Sequence, residues 1–276
     1  MKHEEGSFTG PGGHILYYQS WLPETSPRAV LVVVHGLADH GSRYHNLVNY
    51  FVPKNFAIFA LDLRGHGKSG GKRCHIKRFD EYIEDLGIFM DTIRPMYADK
   101  PIYLVAHSMG APVAIPYALT HPDQINGLIT SGANLASNVA SPVLVALAGV
   151  LSALAPGMGV TVIDAKLISR DPEVVNAYIN DPHVYRGKIS ARTGAELVRM
   201  WKSLPAKIPG LKVPLLVLQG TADGLSDPAG SRMLYEKASS HDKTLKLYEG
   251  FYHEIFNERE HETVMRDIEG WLNARL

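Results

Sequence analysis

Cysteine is nearly absent from this chain. Cys74 is the only one, so no intramolecular disulfide can form, and no CxxC or Cys/His spacing of a metal site exists. Charge imbalance is missing too: Lys+Arg and Asp+Glu both total 28 and the net charge is 0. That excludes the broad cationic field a nucleic-acid binder needs, and leaves only a local basic stretch at residues 68–78. No apolar run reaches the roughly 20 residues of a membrane span; the run at 142–154 has only 13. The N-terminal Met1-Lys2-His3-Glu4-Glu5-Gly6 has no apolar segment behind its charges, which speaks against a secretory leader. Gly65-His66-Gly67 lacks the third spaced glycine of a dinucleotide fingerprint, and no phosphate-binding GxxxxGK[ST] occurs. The expectation is a soluble, cytoplasmic protein that needs neither metal nor cofactor.

Enough apolar material is present to build one sizeable core, since 45% of the 276 residues are hydrophobic and 20% are charged. Residues 29–34 form a continuous apolar run, as in a strand buried on both faces of a parallel sheet. Similar runs at 56–62, 101–104, 125–132, 213–218 and 245–248 alternate with helical patterns at 42–52, 79–96, 111–119, 228–238 and 258–272. Residues 14–21 read as an early hairpin strand, and Ser42 as a helix N-cap. Repeated strand, helix, strand order implies an α/β fold: a mostly parallel sheet flanked by helices. The alternation stops from 133 to 209, in a stretch of mostly helical pattern. Residues 1–132 and 210–276 therefore read as the core, and residues 133–209 as an inserted helical cap over the carboxyl ends of the strands, where ligands bind in open α/β sheets.

Val105-Ala106-His107-Ser108-Met109-Gly110 joins a strand pattern to a helix pattern. Strand, tight turn, helix is the setting of a nucleophile elbow, with Ala106 where the first glycine of G-x-S-x-G stands. A serine hydroxyl needs an adjacent base, and the base needs an acid to hold its tautomer. His253 lies just past the last strand, the position the base requires. His241 precedes that strand, His261 falls inside the last helix, and His107 points elsewhere along the turn. Asp223 lies in the loop after residues 213–218, whereas Asp227, directly before Pro228, is suited to capping a helix. Asn134, after the preceding strand, cannot ionise. The oxyanion needs two amide donors, assigned to Met109 and to Leu37 in the loop His35-Gly36-Leu37-Ala38-Asp39-His40.

The set His35-Gly36-Leu37-Ala38-Asp39-His40, Asp62-Leu63-Arg64-Gly65-His66-Gly67-Lys68-Ser69, His107-Ser108-Met109-Gly110, Gly220-Thr221-Ala222-Asp223 and Tyr252-His253 resembles the monoacylglycerol lipase and lysophospholipase branch of the α/β-hydrolases, the serine aminopeptidase-like hydrolases. Ile168-Ser169-Arg170-Asp171 and Tyr178-Ile179-Asn180-Asp181-Pro182 resemble monoacylglycerol lipases further. The resemblance implies a Ser108, Asp223, His253 triad with oxyanion amides at Leu37 and Met109, matching the reading from the residues. It also implies cleavage of carboxylic esters, monoacylglycerol first, with lysophospholipid, simple esters or aminoacyl substrates as alternatives. Dehalogenase and epoxide hydrolase chemistry would require Asp in place of Ser108. A non-catalytic binding module, the reading from a different class, would tend to lack a triad member, and none is missing. The small-molecule partner is an acyl ester. A lipid surface is the second partner considered, met through the apolar cap residues. Tyr178 is placed either at the polar headgroup of the substrate or in packing.

Overall fold

The apolar runs pair into an eight-stranded sheet in the computed structural model, which describes residues 1–135 and 149–276. In chain order the strands are β1 (Lys2–Thr9), β2 (Ile15–Leu22), β3 (Ala29–Val34), β4 (Phe56–Leu61), β5 (Ile102–His107) and β6 (Gly127–Ser131). A short antiparallel pair follows, β7 (Gly159–Thr161) with β8 (Ile189–Ser190), and then β9 (Leu215–Gly220) and β10 (Lys243–Tyr248) return to the large sheet. Its order is β1-β2-β4-β3-β5-β6-β9-β10, with β1 and β2 antiparallel at one edge and the remaining six strands parallel. The chain winds outward from β3 to β4 and then in the other direction from β3 to β5. Loops leaving β3 and β5 therefore diverge and open a crevice between them, the place where α/β sheets bind ligands.

Burial on both faces explains why the inner parallel strands β3, β4, β5, β6 and β9 are mostly apolar. Along β3, Val30, Val32 and Val34 enter the core on one side, and Ala29, Leu31 and Val33 enter the core on the other. The first core is closed by α2 (Asp80–Ile93) and α3 (Gly110–Thr120), through Tyr82, Leu86, Phe89 and Tyr117. The second is closed by α1 (His45–Phe51) and, near the C-terminus, by Val264, Ile268 and Leu272. Each such side chain contributes roughly 1.5–3 kcal/mol on burial.

Between β6 and β9 no described residue joins the large sheet. This stretch holds α4 (Pro172–Asn180) and α5 (Ala191–Ser203), capped by Asp171 and Ser190. The β7/β8 pair is a departure from the helical expectation for this stretch. Of the apolar run at 142–154, residues 142–148 lie outside the described part, and 149–154 are helical. After β9 come α6 (Pro228–Lys237) and finally α7 (His261–Asn273).

Two further details differ from the sequence reading. The Lys2–Thr9 strand was not anticipated, because its charged residues alternate on an exposed edge strand and leave little apolar signal. Ser42 does not cap: the His40 ring accepts the Ser42 N–H, and the Ser42 hydroxyl accepts from Gln19.

Candidate active site

Ser108 sits at φ +53, the left-handed region that a non-glycine residue adopts only under strain. The surroundings impose this turn. Ser108 N–H donates to Ser131 O at 2.9 Å, and a Cβ on Gly110 would lie 2.1 Å from Val34 O, so the chain must turn sharply against β3. Ala106 is completely buried, where a small side chain is needed. Among the described residues Ser108 Oγ takes no hydrogen bond. In serine hydrolases the contact between serine and histidine often closes only when substrate is present.

Asp223 and His253 meet: His253 Nδ1 lies 2.8 Å from Asp223 Oδ2. The carboxylate also accepts Gln219 Nε2 at 3.0 Å and the Leu225 and Ser226 amides at 2.9 Å each. Burial alone would push the Asp223 carboxyl up, but the His253 ring and the two amides hold it below the usual range. An ionised Asp223 makes Nδ1 of His253 the protonated nitrogen and leaves Nε2 free as a base. Gly132 lets the pair pack against the end of β6. Its φ is +55, and a Cβ there would approach His253 Nδ1 to 3.2 Å and Asp223 Oδ2 to 3.3 Å. Asp227 does what its sequence position suggested, accepting Ala229 N–H at 2.8 Å to cap α6.

Ser108, His253 and Leu37 line one small cavity of about 80 Å³, with His107, Asn134 and Tyr178. Met109 does not line it, but its amide stands at the N-cap of α3, where helix N–H groups lack intrahelical partners. Neither the Leu37 nor the Met109 amide donates to another described group. His35 shapes this loop: its Nε2 accepts Leu63 N–H at 2.9 Å, so its Nδ1 donates to Gly36 O at 2.7 Å. Asp62 accepts the Gly41 and Lys68 amides and packs so closely on Gly67 that a Cβ there would meet Oδ2 at 2.0 Å. The loop after β4 is therefore a scaffold for the loop after β3. A larger groove of about 510 Å³ lies between α2, α3 and α5, and none of Ser108, Asp223 and His253 borders it. Among the described residues no group of three His, Cys, Asp or Glu side chains is placed to hold a metal ion.

Sequence reasoning missed a buried ion cluster beside the histidine. Arg43 reaches both carboxylate oxygens of Glu254, at 2.6 and 2.7 Å, and Asp39 Oδ1 at 3.0 Å. Tyr44 donates to Asp39, Asn257 donates to Glu254, and the guanidinium lies 4.7 Å over the Tyr178 ring. Burial opposes charge on Arg43, but the two carboxylates outweigh it and raise its pKa, and Asp39 is held low mainly by Arg43 against its own burial. Tyr178 thus packs on Arg43 and also borders the cavity. Arg170, in the Ile168-Ser169-Arg170-Asp171 segment, binds Glu258 at 3.0 Å, and Glu258 in turn accepts Tyr252 N–H at 2.8 Å. The segment before α4 is tied in this way to the loop that carries His253.

His107 lies against His253 rather than away from it. Its ring is 4.6 Å from that of His253, and Nδ1 donates to Ser131 O. Burial first, and His253 second, push its pKa down to about 4; burial and His35 push His66 down to about 3. Unfolded, both rings bind a proton near pH 6.5, but folded only near these lower values. The unfolded chain therefore holds more protons as pH falls below that point, and stability falls with it. The expected loss is on the order of 3 kcal/mol per ring by about pH 4. Urea midpoints measured at about pH 7 and about pH 4.5 check this, and equal midpoints would exclude neutral buried rings.

The strand order, with crossover helices and an elbow after β5 at the point where the winding reverses, is that of the α/β-hydrolase fold. Residues 25–260 match the family described as serine aminopeptidase, S33, and the chain belongs to that family of serine hydrolases, in the group that includes the monoacylglycerol lipases. It is 41% identical over 273 residues to the monoacylglycerol lipase of Mycolicibacterium smegmatis, covering 99% of this chain and 98% of that protein. It is 34% identical to the monoglyceride lipase of Mus musculus, covering 96% of this chain and 88% of that protein. The crystal structure of Paleococcus ferrophilus monoacylglycerol lipase superposes with a TM-score of 0.82 at 34% identity, over the whole of both chains.

Proposed function

We propose that this chain is a cofactor-independent ester hydrolase that cleaves monoacylglycerol to fatty acid and glycerol. The observation that carries the reading is the His253–Asp223 pair at 2.8 Å, whose His253 lines one cavity with Ser108 at its strained turn. Similarity over nearly the whole chain to proteins named monoacylglycerol lipases supports the choice of ester. His253 Nε2 takes the Ser108 proton as the hydroxyl attacks the ester carbonyl. The Leu37 and Met109 amides hold the oxyanion, each worth about 3 kcal/mol of barrier. Glycerol leaves with the proton from His253, and water then releases the fatty acid by the same route.

Residues 1–132 and 210–276 act as the hydrolase core, and 133–209 as a cap that meets the acyl chain and the lipid surface from which it comes. The thiol of the buried Cys74 is pushed up to about 12 by burial, so it is neither reactive nor in need of an oxidising compartment. We place the enzyme in the cytoplasm, peripheral to membranes; no described helix is long and apolar enough to cross one. The test is a comparison of kcat/KM on a graded series of monoacylglycerols, lysophosphatidylcholine, simple short-chain esters and an aminoacyl anilide. Monoacylglycerol is expected to exceed each of the others by at least about tenfold, or about 1.4 kcal/mol. Faster cleavage of lysophosphatidylcholine, a simple ester or the anilide would overturn the substrate assignment.

A further inference from the structure

Unpaired positive charge and exposed apolar side chains lie side by side on the face where the parallel strands end. Between Asp62 and Asp80 the chain carries six Lys or Arg residues and no acidic one, in a protein of net charge 0. Arg64, Lys68 and Arg78 are held by Asp85, Glu5 and Glu84. The side chains of Lys72, Arg73 and Lys77 are exposed and pair with no carboxylate among the described residues. This loop leaves the carboxyl end of β4, so it lies on the same edge of the sheet as Ser108.

The inserted stretch packs on that loop. Arg192 Nε donates to Lys77 O at 2.7 Å, and the His75 ring meets Ser190 Oγ at 3.0 Å. The Lys72 ammonium lies so near Gly157 that a Cβ there would meet it at 2.7 Å. Around Gly157 the chain exposes Leu154, Met158, Val160 and Val162, with 81, 42, 43 and 54% of their surface in solvent. These side chains are aliphatic or thioether and offer a partner no hydrogen bond. Apolar side chains that are individually exposed need no explanation, but four within nine residues beside three unpaired cations form a surface of defined chemistry.

We propose that this face docks on bilayers that carry anionic lipid. Leu154, Met158, Val160 and Val162 enter the acyl boundary, and Lys72, Arg73 and Lys77 lie on the headgroup phosphates. A lipid surface with negative headgroups supplies hydrocarbon and anions at adjacent depths, the combination that an apolar patch with a basic rim fits. A nucleic acid would satisfy the cations and leave the aliphatic side chains in water. The inference rests on the lipid-ester reading above, and adds which membranes present the substrate.

The experiment is sedimentation of the full chain with phosphatidylglycerol/phosphatidylcholine vesicles and with phosphatidylcholine vesicles alone. In parallel, hydrolysis of a soluble short-chain ester reports the fold and the site independently of any membrane. Each basic residue near an anionic surface is worth about fivefold in partitioning. Lys72→Gln/Arg73→Gln/Lys77→Gln is therefore expected to weaken binding to the anionic vesicles by about a hundredfold, with soluble-ester turnover unchanged. Lys100→Gln/Lys212→Gln/Lys237→Gln, at positions that precede strands and so lie at the opposite sheet edge, should leave binding unchanged. Leu154→Ser/Val162→Ser should weaken binding to both kinds of vesicle. Equal partitioning of the wild type onto neutral and anionic vesicles, or equal losses in the two lysine-region variants, would overturn the proposal. A protein that binds anionic vesicles but fails to cleave monoacylglycerol would instead count against the substrate assignment alone.

Discussion

Ser108→Ala is expected to lower monoacylglycerol turnover about a million-fold, the scale seen when the serine of a Ser-His-Asp unit is removed. The protein should stay folded. Serine and alanine share a Cβ, so the cost of φ +53 is unchanged, and the hydroxyl lost has no hydrogen-bond partner among the described residues. Activity should not reach zero, because the Leu37 and Met109 amides still polarise the ester. A serine-independent residue of about a thousand-fold over water is expected from such donors and binding. Groups that act as a unit are non-additive, so Ser108→Ala/His253→Ala should be no slower than Ser108→Ala. Asp223→Asn should cost about ten-thousand-fold, because an amide there no longer selects the His253 tautomer that leaves Nε2 free. Single-turnover rates for the four proteins, with thermal melts as fold controls, decide the matter. Retention of more than about 1% of turnover by Ser108→Ala, or additive losses in the double variant, would remove Ser108 from the chemistry.

The three residues proposed for that unit could be nominated from local pattern because each sits at a punctuation mark in the chain. The strand patterns of β5, β9 and β10 end directly before Ser108 and a short loop before Asp223 and His253. On a parallel sheet all carboxyl ends share one edge, so order along the chain translates into proximity in space. Asp223 was separable from Asp227 by the same logic, since only Asp227 stands directly before a helix-starting proline. Three kinds of feature were not readable. Strand β1 has too few apolar residues to announce itself, and is held by register with β2 from Lys2↔Leu22 to Thr9↔Ile15. The β7/β8 pair is only three and two residues long, below the length at which alternation can be detected. The ion cluster depends on partners 211 residues apart, Arg43 and Glu254, whose neighbours in sequence say nothing about each other. Gly132 belongs with these: its reason is the His253–Asp223 pair packed on it, which appears only once the sheet is assembled.

Arg43→Met carries the largest expected effect on stability. The guanidinium is 9% exposed and is the only cation bonded to Asp39 and Glu254 among the described residues. Met fills similar volume, so little of the effect comes from packing. What changes is that two carboxylates, 5% and 6% exposed, lose their counter-charge. Breaking one side of a buried pair costs about 3–5 kcal/mol, which for a chain of this size is roughly a 10 °C fall in Tm. The sign of the pH dependence identifies the cause. Without Arg43 the Asp39 carboxyl keeps its burial and loses the charge that held it low, so the deficit relative to the wild type is largest where the carboxylates must be ionised and shrinks as pH falls toward about 5. His66 and His107 lower the stability of wild type and variant alike over that range, so the difference between the two proteins is the quantity to compare. Adding Glu254→Gln to Arg43→Met should restore part of the loss at about pH 8, since one buried charge is then gone. Catalysis reports separately: Glu254 follows His253 directly, and Tyr178 rests on the Arg43 guanidinium while lining the cavity. KM on monoacylglycerol is therefore expected to rise more than kcat falls. Stability that is unchanged, or that drops equally at about pH 5 and about pH 8, would show that the cluster is held by packing and not by charge.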